Sequence, residues 1–263
     1  MIRLLPDVTA PGVEILAAFS PIAAPSGLPF DKNSVKFNIL SGTSMACPHV
    51  TAAAAFIKSF HPDWSPSAIK SALMTTAWEF KASLYPQAEF AYGSGHIDPV
   101  KALNPGLVYE TSFQEYLKTW CNFTNANCTV KLSPQEINYP SMAVRVEVGV
   151  AVSESFPRTL TNVGAKSTYV ASIEGGTSKL RFKVDPNTLR FTKRNQKKNF
   201  VVTVKGSKMK ASTINSASLV WTDGVHRVRS PIVVYTRNDG KRASHFSRLH
   251  IIFMLIFTCS FLF

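Results

Sequence analysis

The chain has 263 residues, 45% of them hydrophobic and 17% charged, which excludes a disordered or low-complexity polypeptide and supplies apolar material for one or two packed domains. The net charge of +13 is unevenly placed, since residues 1–138 carry nine Lys/Arg and ten Asp/Glu whereas residues 139–263 carry twenty and six. Four cysteines are too few for a disulfide scaffold, and nothing around Cys47 completes a metal-ligand set, so no metal or cofactor is expected.

The first residues, Met1-Ile2-Arg3-Leu4-Leu5-Pro6, hold no apolar run long enough for a secretion signal. Residues 6–18 read as a turn and a short strand, and residues 19–37 as a Pro/Ser/Asn-rich loop leading into a strand at Phe37–Leu40. An Ala-rich helix from about Ser44 to Phe60 follows, stopped by His61-Pro62. Ser65-Pro66 then supplies an N-cap and a first-turn proline. Behind it Ile69, Ala72, Leu73, Thr76 and Ala77 recur at helical spacing and predict one buried face. A further short helix is expected over Glu110 to Trp120.

Beyond residue 138 the period changes. Met142, Val144, Val146, Val148, Val150 and Val152 alternate with polar or small neighbours, the pattern of one half-buried strand. Leu180, Phe182 and Val184 repeat the alternation, as do Phe200, Val202 and Val204. Asp223-Gly224 joins Leu219-Val220-Trp221 to a run ending at Tyr235, a hairpin signal. Several short strands at this spacing predict an antiparallel sandwich of about 100 residues.

The chemistry concentrates around Ser44. Gly42 permits a tight turn, and Ser44 stands at a helix start, where unpaired N–H groups and the positive end of the helix dipole favour a developing anion. An N-cap serine has the same local signature. The wider string separates the two readings: Gly42-Thr43-Ser44-Met45-Ala46-Cys47-Pro48-His49-Val50 closely resembles the nucleophile motif of the subtilisin-like serine proteases. The segment from Pro6 to Ala18, the string Tyr92-Gly93-Ser94-Gly95-His96-Ile97-Asp98-Pro99, and Asn104 to Tyr109 resemble flanking parts of the plant, cucumisin-like branch. Ile137 to Ser141 and Arg158 to Gly164 resemble the start of that branch's fibronectin type III-like domain.

The resemblance implies an α/β fold: the C-terminal part of a doubly wound catalytic domain (1–109), a connector (110–138), a fibronectin type III-like sandwich (139–237) and a basic, then apolar tail (238–263). It implies serine-type peptide hydrolysis with Ser44 as nucleophile and the Ser44 N–H as one oxyanion donor, on peptide or protein substrates. In this family the order is Asp, His, Ser, with the oxyanion asparagine also before the serine. None of the 43 residues before Ser44 matches those motifs, so a longer parent is expected, with this chain alone inactive. His49 lies five residues from Ser44, a rotation of about 140° on a helix, and is expected to point away. His61 and His96 are expected as surface or loop residues. The alternative is an inactive fragment or an interaction module with a basic β-sandwich.

Cys121 and Cys128 could close a small ring, and Asn122-Phe123-Thr124 and Asn127-Cys128-Thr129 are glycosylation sequons. With the resemblance they favour an extracellular or cell-wall destination for the parent. Cys47 is expected as a small buried hydrophobe. The basic second half suits a polyanionic matrix, an acidic membrane surface, an acidic protein or plain solvation. Nucleic acid is not expected, for lack of a base-stacking motif or DNA-reading helix. The tail Ile251–Phe263 is too short to span a membrane. A lipid-anchor signal or an altered reading frame would each account for it.

Overall fold

The computed structural model describes residues 5–81, 84–124 (without the Phe123 side chain) and 131–237. Two short strands, β1 (Ile15–Ala18) and β2 (Phe37–Leu40), pair antiparallel with Ile15 opposite Leu40. Helix α1 (Thr43–Phe60) follows directly, and α2 (Pro66–Thr75) packs against it. Ser65 caps α2 as the sequence predicts, its Oγ accepting from Ala68 N–H at 3.2 Å with Pro66 in the first turn.

Two four-residue helices, α3 (Glu89–Tyr92) and α4 (Pro99–Ala102), lead to the two-residue strand β3 (Leu107–Val108) and to α5 (Phe113–Thr124). Eight strands complete the chain: β4 (Met142–Arg145), β5 (Val152–Asn162), β6 (Ser167–Gly175), β7 (Leu180–Asp185), β8 (Thr188–Phe191), β9 (Lys197–Gly206), β10 (Ile214–Thr222) and β11 (Arg227–Tyr235). They form a sandwich of a five-stranded sheet, β4-β11-β10-β6-β8, on a four-stranded sheet, β3-β5-β9-β7. All pairings are antiparallel except β11 with β4.

The alternation read from the sequence places the core. Phe200, Val202 and Val204 of β9 point inward with Phe156 and Leu160 of β5, facing Leu219, Trp221, Val228, Ile232 and Val234 from the other sheet. Trp221 meets Phe200 edge-on at 5.1 Å between ring centres. The Asp223-Gly224 hairpin forms as expected, with Thr222 opposite Arg227.

Two expectations need correction and a third is exceeded. Residues 142–152 are two strands, not one: β4 ends at Arg145, the chain turns with Val150 N–H donating to Glu147 C=O at 3.2 Å, and Val148 and Val150 are exposed. The valine period was genuine, but a turn has no buried face to satisfy. Helix α2 buries the predicted face and extends it over most of its surface, leaving Pro66 exposed and Ser67 and Lys70 half-buried, since it lies between α1 and α4 on one flank and β3 and β11 on the other. Cys47 is half-buried rather than buried, because nothing among the described residues covers that side of α1.

The helical segment and the sandwich are welded through β3. Leu107 and Tyr109 point into the sandwich core, while the intervening Val108 joins Ile57, Ala68, Ala72 and Ala102 in the helical core. Period-two alternation of a strand segment thus puts consecutive side chains into different cores. Tyr109 N–H donates to Ser71 Oγ, and its hydroxyl, buried and pushed up to about 12 by desolvation, shares a 2.8 Å bond with Ser230 Oγ. Around the seam Arg158 is buried against backbone carbonyls, donating to Tyr139, Gln135 and Pro157. Burial lowers its pKa to about 10.

Candidate functional site

Ser44 lies in the first turn of α1, exposed. Gly42 precedes the helix at φ 156°, ψ 169°, a conformation that side chains disfavour and that lets the chain turn sharply from β2 into α1. The turn is fastened from two directions. Gly42 N–H donates to Gly12 C=O at 2.7 Å, and Glu14 N–H donates to Ser41 Oγ at 2.8 Å. The segment ahead of β1 therefore fixes the backbone on which Ser44 is mounted.

The helix begins with Met45 N–H and Ala46 N–H both donating to Gly42 C=O, at 3.0 and 3.3 Å. Ser44 N–H falls among the first-turn donors that have no intrahelical acceptor. The hydroxyl and a free N–H are thus presented together at the positive end of an 18-residue helix, a placement suited to a developing oxyanion.

Beside Ser44 runs a shallow groove of about 450 Å³, lined by Ser44, Cys47, Pro48, Thr51, Ala52 and Ala55. The sequence analysis did not single out this groove. Its signal was present, because positions 44, 47, 48, 51, 52 and 55 follow the three-and-four spacing of one helix face, and all are small or compact. Only Ala53 and Ile57 of α1 are fully buried.

The histidines are placed elsewhere. His49 is half-buried and its Nδ1 lies 2.8 Å from Met45 C=O, one turn back on the same helix. His61 caps the end of α1, with Nε2 2.8 Å from Leu103 C=O and its ring stacked on Trp64 at 3.9 Å. His96 bridges to Thr9 and Trp78 through its backbone. Among the described residues no histidine or carboxylate is hydrogen-bonded to Ser44.

A second cleft, about 420 Å³, shares no residue with this groove and lies where Thr76, Trp78, Glu79 and Lys101 face His226 and Arg227 of the β10–β11 turn. Its polar groups are largely committed to partners, most of them within the sandwich. Asp223 fixes the His226 ring at 3.0 Å, and despite its burial the hydrogen bonds from His226 and Ser167 hold it well below the usual carboxylate range. Arg227 bonds Glu174 and lies 3.5 Å from Glu79. Nearby, Glu89 is buried against Ser216, and desolvation raises its pKa.

Cys121 is buried and disulfide-bonded, while Cys128 lies outside the described residues. Asn122 is exposed on α5, its amide donating to Leu132 C=O at 3.3 Å; Asn127 and the tail 238–263 also lie outside the described residues. No helix among the described residues is long and apolar enough to cross a membrane, and no group of three His, Cys, Asp or Glu among them could hold a metal ion.

Comparison with known proteins gives two family matches: the Subtilase family over residues 2–95 and a fibronectin type-III domain over residues 136–234. Among individual relatives, the chain is 49% identical over 248 residues to subtilisin-like protease SBT4.3 of Arabidopsis thaliana, covering 89% of this chain and 34% of that protein. It is 48% identical over 251 residues to SBT4.4 and 49% over 249 residues to SBT4.8 of the same plant, covering 88% of this chain and 34% and 35% of theirs. The chain therefore spans about a third of the length of the relatives it matches.

Proposed function

Because the chain belongs to the plant subtilisin-like proteases, with a fibronectin type-III domain in its second half, we propose that Ser44 is the nucleophile of a serine endopeptidase acting on peptide or protein substrates. The observation that carries this reading is the mounting of Ser44: exposed in the first turn of α1, on a backbone tied to the Gly12–Glu14 segment, with its own N–H unclaimed by the helix. Ser44 Oγ attacks the scissile carbonyl as its proton passes to a base, and the Ser44 N–H supports the resulting oxyanion. The amine leaves with that proton as the C–N bond breaks, the acyl–serine ester remains, and water then releases the acid and restores the hydroxyl.

That sequence needs a base to take the hydroxyl proton and an acid to hold the base. We assign both to polypeptide beyond the described residues that covers the groove face of α1 and the β1–β2 pair, where Leu16, Phe37, Ile39, Phe56 and Phe60 are exposed. The fibronectin type-III domain serves in this reading as a buttress, holding α2 from behind through β3 and β11. The disulfide at Cys121 and the family together suit an extracellular or cell-wall setting.

A second reading, a catalytically inactive module built on the sandwich, is favoured by the lack of any described base near Ser44. A fluorophosphonate probe separates the two. The purified 263-residue chain is expected to remain unlabelled, and a longer subtilase polypeptide carrying this segment together with the base and acid is expected to label, with Ser44→Ala abolishing the signal. Absence of labelling in the longer, folded polypeptide would overturn the proteolytic reading.

A further inference from the structure

The sandwich carries a charge excess that its own contacts do not use. Residues 139–237 hold seventeen Lys/Arg against five Asp/Glu. Three of the acidic residues are already paired: Asp223 with His226, Glu174 with Arg227, and Asp185 with Lys183 at 3.2 Å.

Part of the excess gathers at one end of the outer face of the β5-β9-β7 sheet. Across one row, Ser153 of β5, Lys205 of β9 and Arg181 of β7 stand side by side; across the next, Ser155, Thr203 and Lys183. The rows lie about 7 Å apart along the strands and the columns about 5 Å apart across them. Lys179 and Lys208 extend the same end of the sheet, where Ser207 N–H donates to Lys179 C=O at 3.2 Å. Against these five cations stand Asp185 on the face and Glu154, half-buried and turned toward the core side of β5.

Arg181 directly opposite Lys205 is an unfavourable arrangement for the sheet itself, since like charges across a strand pair repel. A single lysine would have sufficed to protect the β7 edge from pairing with another chain. Neither Arg181 nor Lys205 makes an ion pair or a side-chain hydrogen bond with any described residue, and the hydroxyls of Ser153, Ser155 and Thr203 are likewise unclaimed. The face is thus an open platform on which Arg181 and Lys205 are uncommitted and Lys183 is held only by the exposed Asp185, interleaved with uncommitted hydroxyls.

We infer that this face binds a linear anionic polysaccharide. Its carboxylate or sulfate groups neutralise Arg181, Lys183 and Lys205, and its ring hydroxyls meet Ser153, Ser155 and Thr203. An extended polymer fits because the cations and hydroxyls stand in rows across three strands and line neither cleft. The outward residues of β5, β7 and β9 include no aromatic side chain on which a nucleic-acid base could stack. Apart from the half-exposed Val201, no large apolar group stands there to enter a lipid bilayer.

The inference is independent of the proteolytic reading, and its test reads retention on a matrix rather than activity. The whole chain is passed over immobilised polygalacturonate, dextran sulfate and neutral dextran, with duplex DNA and polyglutamate as competitors. Binding to one or both charged polysaccharides and not to neutral dextran is expected, the preferred one identifying carboxylate or sulfate as the ligand group. The variant R181Q/K183Q/K205Q is expected to lose about tenfold in affinity. R190Q/K193Q/R194Q, with the same net charge but altered elsewhere on the sandwich, should stay close to the parent. Equal losses in the two variants would reduce the effect to net charge and overturn the inference, as would tighter binding of DNA or polyglutamate. Lys205→Thr provides a check on folding: it should raise the melting temperature while weakening retention, and unchanged retention at a raised melting temperature would also overturn the inference.

Discussion

The two halves of the molecule bury their apolar residues in different ways. Every strand of the sandwich finds a partner, and the inward side chains of its two sheets are buried in one core. Helix α1 is comparably apolar and much longer than α2, yet buries two of its eighteen residues, whereas α2 buries seven of ten. Helix burial here is decided by what lies alongside. α2 has α1, α4, β3 and β11 as neighbours, and α1 is flanked on one side only. The self-sufficient half and the open half are therefore expected to respond very differently to the same kind of substitution.

The largest effect is expected in the sandwich. Trp221 is fully buried and holds Phe200 edge-on across the two sheets. Trp221→Ala removes the largest core side chain and leaves a cavity that β-strands cannot collapse around, so chemical denaturation should show a loss of about 3 to 5 kcal/mol. A smaller loss, near 1 kcal/mol, would mean that the sandwich core is loosely packed and that the contrast with α1 is overstated.

The sandwich was also the more legible half from sequence alone. Alternation depends on a strand's two faces, and in β7, β9 and β10 those faces are settled by neighbours close in sequence. Where the pattern misled, at Val146 to Val150, the residues were of strand type but the chain had to reverse between sheets. Helix α1 was legible as an element, and Ser44 as its opening serine. Its exposure was not, because exposure depends on what packs over it and not on its own residues. The weld at β3 was unreadable for a related reason: a Leu-Val-Tyr triplet does not reveal that its successive side chains serve two different cores.

That weld is the place to sharpen the comparison. Gly106, at φ +78°, sits where an added Cβ would lie 2.3 Å from the Tyr169 hydroxyl and 2.8 Å from His226 Cγ. Gly106→Ala therefore adds a clash with both sandwich residues to the roughly 1 to 3 kcal/mol that a left-handed backbone costs a non-glycine residue. Thermal unfolding should fall by less than in Trp221→Ala but should affect both halves, since β3 belongs to both cores. Two separated transitions, with the helical segment melting first and the sandwich unchanged, would show that the halves are docked rather than welded.

The smallest effect belongs to Phe60, 62% exposed at the last turn of α1, where among the described residues its aromatic neighbour is Phe56 at 5.1 Å between ring centres. On the surface of an isolated chain, Phe60→Ser should change stability by no more than about 0.5 kcal/mol, and by removing part of an apolar patch it should raise solubility. The outcome matters beyond its size. If the substitution costs 2 kcal/mol or more, this end of α1 is covered in solution by another copy of the chain, and the stability should then depend on protein concentration. A null result with improved solubility would leave α1 as drawn: a helix whose outward face, from Ser44 to Phe60, no described residue covers.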